Sequence, residues 1–153
     1  MPMKKLIIIV TAVIFLVSNL CKAQDLFAKR SSTIRGFISA VFKDRKDVRY
    51  IMDNYMQVAA NDTIPKANKE KIISAMVENL VQTSGKAFAS SGYKICTYNS
   101  FKGNKKKFNT DDYNDIVILT IENEPVTYLE FKEDRIVSFY YIDKGALSFF
   151  VTI

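Results

Sequence analysis

The sequence predicts an α+β fold. Two or three N-terminal helices pack on one face of a C-terminal antiparallel β-meander of about five strands. Three observations lead there. Apolar residues recur at three- and four-residue spacing up to about Ser90. From Tyr93 onward the pattern changes to short β-branched and aromatic runs. Those runs are joined by turns too short for a parallel crossover, so neighbouring strands must run antiparallel. Helices and strands kept apart in this way give α+β rather than alternating βαβ units.

Met1 to Ala23 precedes the domain and reads as a secretory signal peptide. Lys4 and Lys5 form a positive start, and small or short residues end the segment at Cys21-Lys22-Ala23. The apolar run Leu6 to Val17 is about 12 residues long, short of the roughly 20 that cross a bilayer. Cleavage leaves a mature chain beginning near Gln24, periplasmic or secreted. Cys21 offers an alternative, a lipid anchor, although Leu20 stands where a lipoprotein signal places a small residue. A retained N-terminal helix is the third outcome.

Removing this segment changes the charge. Three of the 22 Lys and Arg (Lys4, Lys5, Lys22) and none of the 16 acids lie in it, so the net charge falls from +6 to +3. The basic pI is therefore a weak argument for nucleic acid, and none is expected as a partner. Cys96 alone remains, which excludes an intramolecular disulfide framework. The remaining residues, about 130, suffice for one domain with its own core. Residues 25–91 form its helical part and 93–153 its sheet part, with no transmembrane segment after cleavage.

The first helix spans Asp25 to Lys43, with Leu26, Phe27, Ile34, Phe37, Ile38, Val41 and Phe42 on one side and Arg30, Arg35 and Lys43 off that stripe. The signal lapses at Asp44-Arg45-Lys46-Asp47. There Asp44 is placed to cap a second helix and Asp47 to sit in its first turn, although the stripe keeps phase and one continuous helix also fits. The second segment runs to Ala59 or Ala60. Asn61 to Pro65 forms a loop, because Pro65 disfavours helix at Ile64. The third helix, Lys66 to Ser90, carries Ile72, Ile73, Met76, Val77, Leu80, Val81, Ala87 and Phe88, with Ser84-Gly85 weakening its middle. Ser91-Gly92 ends it.

Tyr93 to Tyr98 is the first strand, and Asn99 to Asn114 the longest loop. Asp115 to Glu122 is apolar on both faces and reads as a central strand. Asn123-Glu124-Pro125 turns the chain into Val126 to Lys132, where Thr127, Leu129 and Phe131 oppose Tyr128, Glu130 and Lys132. Glu133-Asp134 forms a hairpin turn into a third strand, Arg135 to Ile142. Asp143-Lys144-Gly145 turns again, with Gly145 suited to positive φ. Ala146 to Ile153 closes the meander, with Leu147, Phe149, Val151 and Ile153 on one face. The hairpin Tyr128 to Tyr141, an apolar strand, an acidic turn and then Arg135-Ile136-Val137-Ser138-Phe139, resembles the C-terminal hairpins of cone-shaped folds of the nuclear-transport-factor type. That resemblance implies a curved sheet enclosing a pocket. It brings no catalytic motif.

The chemistry is defined mainly by what is missing. With no histidine, Ser-His-Asp and Cys-His catalysis and His-based zinc sites are excluded. No P-loop, GxGxxG or GxSxG is present. Asp111, Asp112 and Asp115 supply oxygen donors but lack EF-hand spacing, so no metal or cofactor is expected. Among Glu122, Glu124, Glu130, Glu133 and Asp143 no spacing selects an acid–base pair. Cys96, with no histidine to activate it, reads as a small core residue. No catalytic residue is assigned.

The expected function is a non-enzymatic binding or interaction module, exported from a bacterial cell. Its candidate surface is the outer sheet face, Tyr128, Tyr140 and Phe150, together with the basic loop Lys102, Lys105, Lys106 and Lys107. Its partner is a protein, a small molecule, or a second copy pairing through the sheet. The alternative is a ligand carrier or enzyme with a pocket between sheet and helices, built on the cone-shaped fold. A third option is an inhibitor or immunity-type protein that blocks its target through the lysine loop. For that loop, a solvated segment guarding an apolar strand from aggregation is the plainer explanation.

Overall fold

The computed structural model describes residues 22–59, 64–90, 92–110 and 112–153. The signal-peptide assignment therefore lies almost wholly outside the described residues, as do most of the loop before Pro65, Ser91 and Asp111. Helices come first and antiparallel strands follow, the α+β arrangement expected.

Helix α1 (22–38) continues into one π-helical turn, Ser39–Lys43. The Asp44 N–H donates to Ser39 O at 2.8 Å, a five-residue step that widens the helix end. Arg45 then adopts a left-handed φ of 46°, and the chain leaves the axis. This excludes one continuous helix through Asp44–Asp47. The cap of α2 (Val48–Tyr55) is Asp47, not Asp44: it is extended, and its side chain accepts from Tyr50 N at 2.8 Å. Helix α2 stops at Tyr55, short of the expected Ala59. Arg135 holds the carbonyls of Asp53, Asn54 and Met56, and Gln57 N donates to Ile136 O. The sheet thus satisfies the helix end and draws the chain away. Helix α3 (Lys66–Ser90) has the expected span.

The first sheet orders β1 (Lys94–Thr97), β2 (Ile116–Ile121), β3 (Glu124–Lys132) and β4 (Arg135–Ser138) as neighbours, all antiparallel. β2 is buried along nearly its whole length, as its unbroken apolar run requires. Its turn into β3 is Glu122-Asn123, with φ of 53° and 66°, the paired positive values of a type I′ turn. Pro125 accordingly falls inside β3. It lies beyond the reach of β4, which pairs only with Glu130–Lys132.

The third strand is not continuous. β4 ends at Ser138, and β5 (Tyr141–Lys144) pairs with β6 (Leu147–Phe150) in a separate two-stranded sheet. The reason is parity. Ile136 and Phe139 both enter the helix-side core, yet an odd separation sends two residues to opposite faces of a straight strand. The chain breaks to reconcile them, and the Ser138 hydroxyl bridges the gap by donating to Tyr140 O and Val151 O. The last strand is corrected in the same way. Ser148 is its buried residue, Phe150 packs against the aromatic core, and Leu147 is exposed.

Two cores result. On the helix side, Val117, Leu119, Leu129, Phe131 and Ile136 meet Ile34, Phe37, Ile51, Ile73 and Leu80. Arg30, expected off the apolar stripe, is only 5% exposed. Its guanidinium donates to Glu133 O, Asn114 O and Asp115 Oδ1 at 2.6–2.8 Å and lies 5.2 Å from the Phe131 ring centroid. Every direction of the fork is used, which is what lets an arginine be buried. On the second face, Ile116, Ile118 and Tyr128 meet Tyr98 and Phe108.

Candidate functional site

The residues expected to form an outer binding face are mostly occupied in packing. Tyr128 is 3% exposed. Its ring lies 5.1 Å from Phe108 and 5.6 Å from Tyr141, and its hydroxyl accepts from Lys106 N at 3.0 Å. Phe150 stacks on Phe108 at 4.3 Å with the rings 10° apart. Tyr140 packs against the other core, so the three aromatics do not share one surface.

The lysine loop is the cover of that face. Phe108 plugs it, and the backbone on either side pairs with β6: Ser148 N donates to Lys107 O, and Asn109 N to Ser148 O. Lys105 Nζ donates to Tyr98 O and Phe101 O and sits 4.3 Å from the Tyr98 ring centroid. Lys106 Nζ pairs with Asp143 at 2.6 Å, and the Tyr98 hydroxyl donates to Lys106 O. The Lys106 ammonium and the Ser148 hydroxyl hold the Asp143 carboxyl below the usual carboxylate range. Lys102 and Lys107 stay exposed. Of the four lysines, two build the lid, so this loop does not present a single cationic surface.

Burial raises the phenols of this core. The Tyr141 hydroxyl is pushed up to about 12, chiefly by desolvation and then by Tyr128 and Asp143. Tyr98 and Tyr128 move the same way for the same reason. Glu130 is also raised, first by burial and then by Asp115, and its Oε2 is buried without a hydrogen-bond partner. Asp115 is itself paired with Arg30, so the two carboxyls do not form a free acid–base pair. Among the described residues no cluster of acids or cysteine has the makings of a metal site, and Cys96 is a half-buried free thiol opposite Ile118.

An open concavity lies elsewhere, between α1 with its π turn and α3. It has a volume of about 850 Å³. Ile38, Val41, Phe42, Val77, Val81 and Phe88 line it, and Phe42 and Phe88 lie 4.8 Å apart within it. Arg35, Lys43, Arg45 and Lys46 also line it, against one acid, Glu78. Among the described residues no ion pair neutralises Arg35, Lys43 or Arg45, while Lys46 lies 5.4 Å from the Tyr50 ring centroid. Gly85 keeps the α3 wall low. A methyl group there would only reach van der Waals contact with Phe42 and Val81, at 3.9 Å.

The cone-shaped resemblance implied a pocket between sheet and helices. Leu119, Leu129, Ile136 and Phe139 pack on the helices there, leaving a recess of about 320 Å³ between α3 and the sheet, lined among others by Leu80, Ser84, Thr127 and Tyr140, while the larger groove opens between two helices. A signal for it was present in the sequence. Val77, Val81 and Phe88 are offset from the buried Ile73, Met76 and Leu80, so the apolar stripe of α3 is wider than one core face needs.

No helix among the described residues is long and apolar enough to span a membrane. No protein-family model, curated protein or solved structure matches this chain.

Proposed function

We propose that this is an exported bacterial module that binds an apolar ligand and performs no chemistry of its own, with the α1–α3 groove as its site. One observation carries the reading: a groove of about 850 Å³ with an apolar lining, left unfilled beside a core packed on both faces of the sheet. A groove of that size falls in the range of small-molecule sites. The lack of histidine supports binding over catalysis. The buried state of Tyr128 and the internal bonds of Lys105 and Lys106 weigh against the sheet face and the lysine loop as the contact surface.

Export rests on the signal-like layout of Met1 to Ala23 and is tested by mass spectrometry of the protein from its own cells. A mature N-terminus near Gln24 is expected. An acylated Cys21 would place the protein on a membrane, and an intact Met1 would contradict export. Binding is tested with the neutral fluorescent probe N-phenyl-1-naphthylamine. Saturable one-to-one binding that is lost in Gly85→Leu is expected; no saturable binding would contradict the reading.

A further inference from the structure

We infer that the groove takes a single-chain anionic amphiphile, an aliphatic chain ending in a carboxylate or a group of like charge. This rests on the groove being the binding site, and it assigns the class of ligand.

The lining of the groove is uneven. Part of it is apolar and aromatic, with Val41, Phe42, Val81 and Phe88, a surface that holds a hydrocarbon chain but gives it no orientation. The charge is concentrated where α1 ends. Lys43, Arg45 and Lys46 fall within four residues of one another and all line the groove, whose lining holds one acid, Glu78, with Asp44 and Asp47 beside them in the chain. The wide π turn and the left-handed Arg45 set them there, because a regular helix would have carried these side chains onward around its axis. Three cations at one end of an apolar trough complement a ligand with one apolar end and one anionic end. Arg35 stands beside Tyr93, opposing the upward push that burial gives that phenol, so positive charge also rims another part of the groove. A cationic or zwitterionic head finds no matching carboxylate beyond Glu78. A flat bilayer fits poorly, because the apolar side chains line a recess and do not stand out from the surface.

The test uses the mature full-length chain and displacement of N-phenyl-1-naphthylamine by decanoate, decanol and decyltrimethylammonium, each below its micelle concentration. Decanoate should displace the probe at a concentration lower by about tenfold than decanol, with decyltrimethylammonium weakest. Raising the salt to about 0.5 M should remove most of that preference, since the cations are exposed. In the triple variant Lys43→Glu/Arg45→Glu/Lys46→Glu, decanoate should displace the probe no better than decanol does. Gly85→Leu should block all three ligands while melting no lower than the parent. Equal displacement by decanoate and decanol would overturn the anionic assignment and leave an apolar groove standing. Failure of the neutral probe itself to bind would overturn the groove as a site. Sedimentation with phosphatidylglycerol vesicles, without displacement by decanoate, would overturn the assignment in favour of a membrane surface.

Discussion

The helix-covered face of the sheet and its opposite face are both dry, but they are closed by different material. The first is mainly aliphatic, with Val117, Leu119, Leu129 and Ile136 against Ile34, Ile51 and Ile73, and with Phe37, Phe131 and Phe139 among them. The second is aromatic, with Tyr98, Phe108, Tyr128, Tyr141 and Phe150, closed by a loop and a hairpin. Large flat rings suit a cover with little secondary structure. A few of them span the gap, and their hydroxyls satisfy loop backbone that would otherwise be buried bare, as Tyr98 does for Lys106 O and Tyr113 for Phe108 O. What looks in sequence like a binding surface is therefore a second core. The unfilled apolar surface lies in the helical layer.

Removing the plug of the second core tests this most severely. Phe108 is 2% exposed, and Phe108→Ala should cost about 3–5 kcal/mol in urea unfolding, as a core phenylalanine does. A loss below about 1 kcal/mol would mean the loop is an ornament on a one-sided sheet.

Alkaline pH should also separate the two cores. Because burial raises the Tyr141 phenol to about 12, with Tyr98 and Tyr128 shifted the same way, the folded chain keeps protons that the unfolded chain releases above its ordinary value of 10.0. The stability from these groups is fully present below that value and falls as pH rises toward about 12. Pulsed hydrogen exchange as the pH is raised above 10, toward about 12, should show β5 and β6 loosening before β2 and the helices. Simultaneous loosening would contradict the division.

Two glycines contrast a filled side of the helical layer with an open one. At Gly36 a methyl would meet the Tyr55 ring at 2.6 Å, whereas at Gly85 it finds 3.9 Å. Both exchanges to alanine gain about 1 kcal/mol of helix propensity. Only Gly36→Ala also carries an overpacking cost, about 1–3 kcal/mol, because the Tyr55 ring is held by Phe37 and Tyr50. Thermal melts should fall for Gly36→Ala and rise for Gly85→Ala.

Glu130 gives the smallest effect. Its raised carboxyl and unpartnered Oε2 mean that the folded state prefers the protonated form. Stability is present below the ordinary value of 4.5 and is lost as pH rises through the higher folded value. Glu130→Met should therefore stabilise the protein by about 1 kcal/mol at pH 7, with the advantage shrinking near pH 4. A constant difference across that range would show that the carboxylate is not the cause.

How much was legible follows from the range of each signal. α3, the burial of β2 and the acidic hairpin turn Glu133-Asp134 rest on local periodicity and turn chemistry, and they appear where local rules place them. The break after Ser138 does not, because it answers to which of two distant cores Phe139 and Tyr141 join. Arg30 lies off the apolar stripe, and its burial was not legible because its three partners, on Asn114, Asp115 and Glu133, are far along the chain. Whether the aromatic stripe is a surface or a core was illegible for a related reason. An aromatic stripe looks the same in sequence whether water or Phe108 covers it, and a groove is set by the distance between helices.

The most direct measurement is a map of amide chemical shifts during titration of the mature protein with decanoate. Saturable shifts should gather at Val41, Phe42, Lys43, Val81, Gly85 and Phe88, with Ile118, Tyr128 and Phe150 unmoved. Shifts centred on Tyr128, Phe150 and the Lys102–Lys107 loop, with the groove silent, would contradict the account and return binding to the sheet face.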